Sequence, residues 1–260
     1  MKRILPLLFI AFMISCSNQP ENQSATKPIE NETEASNITD IPPEPEVAPG
    51  TQVLEPTVTE LQLGETEGGG YTNQAIAQLF RDGTTAYDNK DFTSGIKFFQ
   101  EIIEKQPKDT RAYYNLGIGY FNLDMFPQAI KAFSDGININ PRDSLSIQFR
   151  GRVYYMMGDY KNCLTDYSRV VELMPKDPVS YYNRGTAKGR TNDFLGAIKD
   201  FDKAIELNPD YAEAFYNRGL ANFYQGRLHD ACFDWRKAHG LGHYEAEKAI
   251  RTYCESKEEE

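Results

Sequence analysis

The cysteines and histidines are the side chains of this sequence best suited to chemistry, because they bind metals and form disulfides. The chain of 260 residues contains four Cys and three His, namely His229, His239 and His243. His239 and His243 lie near Cys232 and Cys254, but they flank a Gly-Leu-Gly turn and not a ligand-spaced hairpin. We therefore predict no metal site. Cys232 and Cys254 are candidates for a disulfide, with two separate thiols as the alternative.

Catalytic motifs are the second place to look for chemistry. The sequence contains no nucleophile elbow, phosphate-binding loop, dinucleotide fingerprint or metalloprotease helix. Most Asp and Glu residues fall at positions expected for helix caps, turns and outward faces, so no pair of carboxylates stands out as an acid and base. We predict a protein without catalytic residues or cofactors.

The charge is unevenly distributed along the chain. The formal net charge is -10, and residues 17–70 alone carry 11 Asp/Glu against the single Lys27. Residues 71–254 carry 23 Asp/Glu against 24 Lys/Arg. A nearly neutral body without a broad basic face argues against non-specific nucleic-acid binding.

The N-terminus has the features of an export signal. Lys2 and Arg3 precede an apolar run over residues 4–14, which is too short to span a membrane as a helix. The following Met13-Ile14-Ser15-Cys16 resembles the bacterial lipoprotein signal. This resemblance implies a signal peptide over residues 1–15 and lipidation of Cys16; an ordinary secretory signal is the alternative. The residue after Cys16 is Ser and not Asp, so the resemblance favours the outer membrane facing the periplasm.

The segment that follows has the composition of a tether. Residues 17–70 hold seven of the 14 prolines and show no helical or strand periodicity. Such a segment buries too little apolar surface to offset the entropy of ordering it. We predict that residues 16–70 form a lipidated Cys followed by a disordered, acidic, Pro-rich tether.

The remainder of the chain is an internal repeat. Four prolines recur at intervals of 34 residues, at Pro107, Pro141, Pro175 and Pro209. The same period aligns a glycine column and an aromatic column in five units, formed by Gly83, Gly117, Gly151, Gly185 and Gly219 and by Phe99, Phe133, Tyr167, Phe201 and Trp235. Within each unit the apolar residues recur at three- and four-residue steps, which indicates helices.

These columns resemble the tetratricopeptide repeat family. The resemblance implies an all-α, right-handed superhelical solenoid over residues 71–254, in which each unit is a helix A, a turn and a helix B. The five units fall at about 76–109, 110–143, 144–177, 178–211 and 212–243, with a C-terminal capping helix at 244–254 and a charged tail at 255–260.

Charged pairs recur within the last three units. Arginine stands just before the repeat glycine and aspartate 16 residues later, giving Arg150 with Asp166, Arg184 with Asp200 and Arg218 with Asp234. The two units without this arginine also lack the aspartate. We predict three partly buried structural pairs that join helix A to helix B.

The family resemblance also implies a curved groove lined by the A helices. Twelve residues are candidates for its lining: Arg81, Arg111, Asn115, Phe121, Phe149, Arg152, Tyr155, Tyr182, Asn183, Tyr216, Asn217 and Tyr224. Aromatic rings with amides and guanidinium groups suit an extended peptide. We expect an envelope adaptor or scaffold that binds a protein or peptide and touches the membrane only through its anchor; a glycan or peptidoglycan binder is the alternative.

Overall fold

The computed structural model describes residues 73–255, all of whose regular structure is helical. The eleven helices of this region are α1 (Asn73–Asp88), α2 (Phe92–Lys105), α3 (Thr110–Asn122), α4 (Phe126–Ile139), α5 (Ser144–Met156), α6 (Tyr160–Leu173), α7 (Pro178–Arg190), α8 (Phe194–Leu207), α9 (Ala212–Tyr224), α10 (Leu228–Gly240) and α11 (Glu245–Tyr253). The prediction of an all-α repeat fold is confirmed. The predicted signal peptide, Cys16, the tether and residues 256–260 lie outside the described region.

The helices pack in chain order, each against the one before it and the one after it. The odd-numbered helices α1 to α9 are the A helices and the even-numbered helices α2 to α10 are the B helices of five hairpins. Because each hairpin buries its apolar face against its neighbours, the core is a row of successive layers and not one central cluster.

Aspartate side chains set where many of the helices begin. Asp109 and Asp143 cap α3 and α5 by accepting hydrogen bonds from the backbone N–H groups of Arg111 and Ser146. Asp177 caps α7 in the same way, and aspartates also cap α2, α6 and α8. Each cap satisfies an N–H group that has no partner within its own helix.

The turn between helices A and B repeats a single backbone feature. The same position of every unit has a positive φ, namely Lys90, Asp124, Gly158, Asn192 and Gly226. Glycine adopts this left-handed conformation without strain, and Asn and Asp tolerate it better than other residues do. The turn geometry is therefore conserved through the array although its sequence varies.

The repeat glycines permit close packing of A and B helices. A Cβ atom added at Gly117 would lie 2.5 Å from the Phe133 ring, and one added at Gly219 would lie 2.6 Å from Trp235. Both rings are fully buried. The glycine and aromatic columns of the sequence thus meet inside each unit.

Helix α11 closes the C-terminal end of the array by packing on α10. A disulfide joins Cys232 of α10 to Cys254, with a Cα–Cα distance of 5.8 Å. Cys163 is a free, buried thiol of α6. Among the described helices, none combines the length and apolar character needed to cross a bilayer.

Candidate binding face

Contacts between an arginine and an aromatic ring link the A helices α1, α3, α5 and α7 in turn. The guanidinium carbon of Arg111 lies 4.9 Å from the ring centroid of Phe80, and that of Arg152 lies 5.0 Å from the centroid of Phe121. The third contact places Arg190 5.7 Å from the Tyr155 ring. We call this set (Phe80, Arg111, Phe121, Arg152, Tyr155 and Arg190) the arginine–aromatic ladder. It runs from α1 to α7, and each rung gains cation–π attraction.

Arg152 differs from the other two arginines of the ladder. Arg111 donates two hydrogen bonds to Asp109, and Arg190 donates from Nε to the Tyr155 hydroxyl at 2.8 Å. The Nε atom of Arg152 is buried and has no hydrogen-bond partner among the described residues. Desolvation lowers the pKa of Arg152, the neighbouring Tyr167 partly opposes this effect, and no carboxylate among the described residues contributes. Within residues 73–255, Arg152 is therefore a partly buried cation without an acidic partner.

The helices that carry the ladder have a one-sided charge. Together α3, α5 and α7 contain six cations and no Asp or Glu: Arg111, Arg150, Arg152, Arg184, Lys188 and Arg190. Among the described residues, at least four of these cations have a carboxylate partner: Arg111, Arg150, Arg184 and Lys188. The acidic partners come from a cap or from B helices, so the central A helices themselves present only positive charge.

Five of the twelve predicted groove residues remain accessible. Arg81 is exposed and donates to Gln78 of its own helix, while Arg111, Phe121 and Arg152 are partly buried in the ladder. Tyr224 is also partly buried, with its ring stacked on Phe194 at a centroid distance of 4.9 Å. Ligand contact by these residues stays a prediction.

The other seven predicted groove residues are buried, namely Asn115, Phe149, Tyr155, Tyr182, Asn183, Tyr216 and Asn217. The Tyr182 hydroxyl accepts a hydrogen bond from Asn217 at 2.9 Å, and Tyr216 stacks on His243 at 4.3 Å. The expectation that these side chains are open to a ligand is corrected: neighbouring units cover them, and their role in this structure is packing.

Sequence reasoning missed Phe80 and Arg190, which complete the ladder. It also missed Tyr114, whose ring packs edge-on against Phe149 with centroids 5.5 Å apart. A signal for this face was present in the sequence, because three consecutive A helices without an acidic residue stand out in a body of balanced charge. Reading charge separately for A and B helices would have shown it.

The structure also brings together the three predicted structural pairs. The guanidinium of Arg150 donates to Asp166 at 2.8 and 2.7 Å, and that of Arg184 donates to Asp200 at 2.8 and 2.6 Å. Both aspartates are buried, and their hydrogen bonds raise the pKa of the partner arginine. Lys188 adds a second cation to Asp200, at 2.8 Å.

The last pair lies in a larger network. Arg218 donates to Asp234 at 2.9 and 2.6 Å and also to Asp202 at 2.6 Å. Asn222 donates to Asp234 at 3.2 Å. All three pairs connect helix A to helix B of one unit. Their charges are already compensated, so unlike Arg152 they do not require a ligand.

Within the described residues, no group of His, Cys, Asp and Glu side chains could hold a metal ion.

Comparisons with known proteins agree with this architecture. A family model described as TPR repeat matches residues 190–226. No curated protein sequence matches the chain. A solved structure of MamA from Desulfovibrio magneticus RS-1 is similar with a TM-score of 0.60 at 22% identity, covering 64% of this chain and 94% of that one.

Two further structures show the same likeness. YrrB, described as a TPR protein with an unusual peptide-binding site, has a TM-score of 0.59 at 21% identity over 68% of this chain and 96% of its own. A tetratricopeptide repeat protein from Parabacteroides merdae ATCC 43184 has a TM-score of 0.59 at 18% identity over 64% and 66% of the two chains. The described residues therefore form a tetratricopeptide-repeat fold, and residues 190–226 match the sequence pattern of that repeat.

Proposed function

We propose that this chain is an interaction scaffold that binds a segment of another protein along the arginine–aromatic ladder. The observation that carries the proposal is Arg152, a partly desolvated guanidinium that lies over the Phe121 ring and has no carboxylate partner in the part of the chain that the structure describes. Arg152 as a whole remains partly exposed, and a ligand carboxylate would give its guanidinium the charge-assisted hydrogen bonds that the described residues do not supply. The likeness to YrrB, whose description mentions a peptide-binding site, is consistent with this use of the fold.

We further propose that the scaffold is lipid-anchored at Cys16 and faces the periplasm from the outer membrane. The N-terminal sequence motif supports this location, as does the Cys232–Cys254 disulfide, because disulfides persist mainly in oxidising compartments. The partner would then be another protein or peptide of the cell envelope. We propose no enzymatic activity, since tetratricopeptide-repeat folds generally serve binding and the sequence carries no catalytic motif.

The alternative of a glycan binder is less well supported by the geometry. Stacking on sugar rings requires open aromatic faces, but Tyr155, Tyr182 and Tyr216 are buried. Tyr224 already stacks on Phe194. The aromatic residues of this face therefore form the packing between units, and few faces remain for a sugar.

Crosslinking in intact cells tests the proposed function. Leu145 of α5 is 41% exposed and lies seven residues before Arg152, so both side chains share one helix face. A photo-crosslinking residue at Leu145 should capture a protein neighbour. The matched control is the same residue at Leu195 of α8, which is 50% exposed and lies on a B helix.

Equal capture from both positions, or capture from neither, would contradict a binding face on the A helices. Binding of isolated cell-wall fragments in place of a protein would favour the glycan alternative. The anchor is tested separately by metabolic labelling with a fatty-acid probe, which Cys16→Ala should abolish.

A further inference from the structure

The ladder has the charge and spacing to recognise a particular kind of segment. We propose that it binds an extended segment of a partner protein that carries Asp or Glu side chains at intervals of about four residues, with Arg152 as the specificity-determining contact. This inference deepens the proposed function and rests on it for the existence of a partner.

The charge of the partner follows from the helices that form the face. The three central A helices contribute six cations and no acidic residue. Four of them pair with carboxylates of the described residues, Arg190 donates to the Tyr155 hydroxyl, and Arg152 pairs with no carboxylate of the described residues. A planar guanidinium donates in a fork that matches a carboxylate, and partial burial strengthens that pair relative to an exposed one. An acidic side chain therefore complements the face better than a neutral or basic one.

The spacing follows from helix geometry. Packed helices lie about 8–10 Å apart, and each residue advances a helix by about 1.5 Å. Arg111 and Arg152 are 41 residues apart, seven more than the repeat of 34, and Arg152 and Arg190 are 38 apart, four more than the repeat. Successive arginines of the ladder are thus separated by roughly 11–15 Å, which an extended chain crosses in about four residues.

A nucleic-acid partner fits the observations less well. Binding to a phosphate backbone uses many cations that track successive phosphates. Residues 71–254 are close to neutral, and four of the six cations on the central A helices already have carboxylate partners. A protein segment with a few carboxylates needs only the three arginines of the ladder: Arg152, which pairs with no carboxylate of the described residues, and Arg111 and Arg190 on either side of it.

A defined peptide tests the inference on the purified full chain. The probe is a fluorescent peptide of about 13 residues, long enough when extended to pass the whole ladder. It has acetyl and amide ends and Glu at every fourth position among Ala, Ser and Pro, and the reference has Gln in place of each Glu. Fluorescence anisotropy should give a Kd at least about five-fold lower for the Glu peptide than for the Gln peptide, and this preference should shrink as salt rises because salt screens the attraction. Crosslinking from Leu145 should label the Glu peptide.

Two variants with the same charge change separate specific contact from general attraction. Arg152→Gln should remove most of the preference for the Glu peptide, whereas Arg142→Gln should keep it, because Arg142 is exposed in the turn between α4 and α5. Arg152→Lys keeps the charge without the planar fork and should retain part of the preference. Circular dichroism and thermal melting check that each variant is folded.

Several results would overturn the inference. These are equal loss in Arg142→Gln and Arg152→Gln, equal affinity for the Glu and Gln peptides, and tighter binding of the Gln peptide once its C-terminal carboxylate is free. Stronger binding of a single-stranded oligonucleotide would also refute it. Crosslinks from Leu145 to residues 44–67 of the same chain, unaffected by excess Glu peptide, would identify the chain's own acidic stretch as the occupant and refute a separate partner.

The outcome can be separated from that of the proposed function. A protein captured in cells from Leu145, with capture unchanged in Arg152→Gln, would leave the scaffold function standing and remove the acidic specificity. If the chain discriminates between the two peptides in vitro but captures no protein in cells, the acidic specificity of the ladder stands and the proposed scaffold function falls.

Discussion

The ion pair between Arg150 and Asp166 leads to a quantitative prediction, because the next unit provides a matched comparison. Arg150→Met removes the one ion-pair partner that Asp166 has among the described residues, and this carboxylate is 3% exposed. An unpaired buried charge of this kind costs about 3–5 kcal/mol of folding stability. Arg184→Met is the same change one repeat later, but there Lys188 stays 2.8 Å from Asp200. We expect that loss to be about 1.5–3 kcal/mol, the contribution of hydrogen bonds to a charged group.

Urea denaturation followed by far-ultraviolet circular dichroism measures both free energies of unfolding, with the fluorescence of Trp235, the single tryptophan, as a second probe. Unit two shows how the pair can be replaced, since it has buried Leu116 and Ala132 at the matching positions. The double change Arg150→Leu with Asp166→Ala should therefore recover most of the loss. If Arg150→Met costs no more than Arg184→Met, or if the double change costs the sum of its parts, the pair is not a buried and isolated one.

Three further predictions concern packing, the disulfide and pH. Gly117→Ala should lower stability by about 1–3 kcal/mol, because the added methyl group overlaps the buried Phe133 ring; urea denaturation measures it. Reduction of the Cys232–Cys254 disulfide, which closes a loop of 22 residues, should cost about 3 kcal/mol and lower the melting temperature. Burial lowers the pKa of His243 below 6.5, so the unfolded chain takes up the proton first as pH falls. His243 should therefore reduce stability as the pH drops below about 6.5, and His243→Asn should flatten the fall in melting temperature between about pH 7 and pH 5.

Each of these predictions has an internal control. Gly240→Ala adds a methyl group in a helix where nothing lies within 4 Å, and it should be neutral or stabilising. The control for the disulfide is the double variant Cys232→Ser, Cys254→Ser. If reductant leaves the melting temperature of this variant unchanged, the effect of reductant on the wild-type chain comes from this bond. His239→Asn changes an exposed imidazole near the same turn. If it flattens the pH profile as much as His243→Asn does, burial of His243 is not the cause.

The period of the repeat made most of the fold predictable from the sequence. Pro, Gly and aromatic residues recur every 34 positions, and such columns follow from one hairpin stacking on copies of itself. The comparison between units also indicated the charged pairs, because a unit has the aspartate only where it also has the arginine, as with Arg150 and Asp166. Residues 1–72 lie outside the described region, so the interpretation of Cys16 and of the tether stays a prediction.

The accessibility of the face was not predictable in the same way. Tyr182 is covered because Asn217, which lies 35 residues later, donates to its hydroxyl group. Such contacts depend on side-chain rotamers and on the tilt between units, and neither is encoded in a column of the repeat. The stacking of Arg190 on Tyr155 also joins different units. Residue type thus identified the helices that form the face but not which of their side chains remain open.

The ion pairs that connect A and B helices give the two ends of the array different responses to heat. In the described residues they begin at α5, and the disulfide adds a covalent link at α10. The hydration that opposes buried ion pairs weakens as temperature rises, whereas hydrophobic stabilisation levels off. The hairpins of α1 to α4 rely on apolar contact, so warming should fray the array from its N-terminal end. Amide exchange would then advance unit by unit toward α11, and the rungs at α5 and α7 would outlast the one at α1.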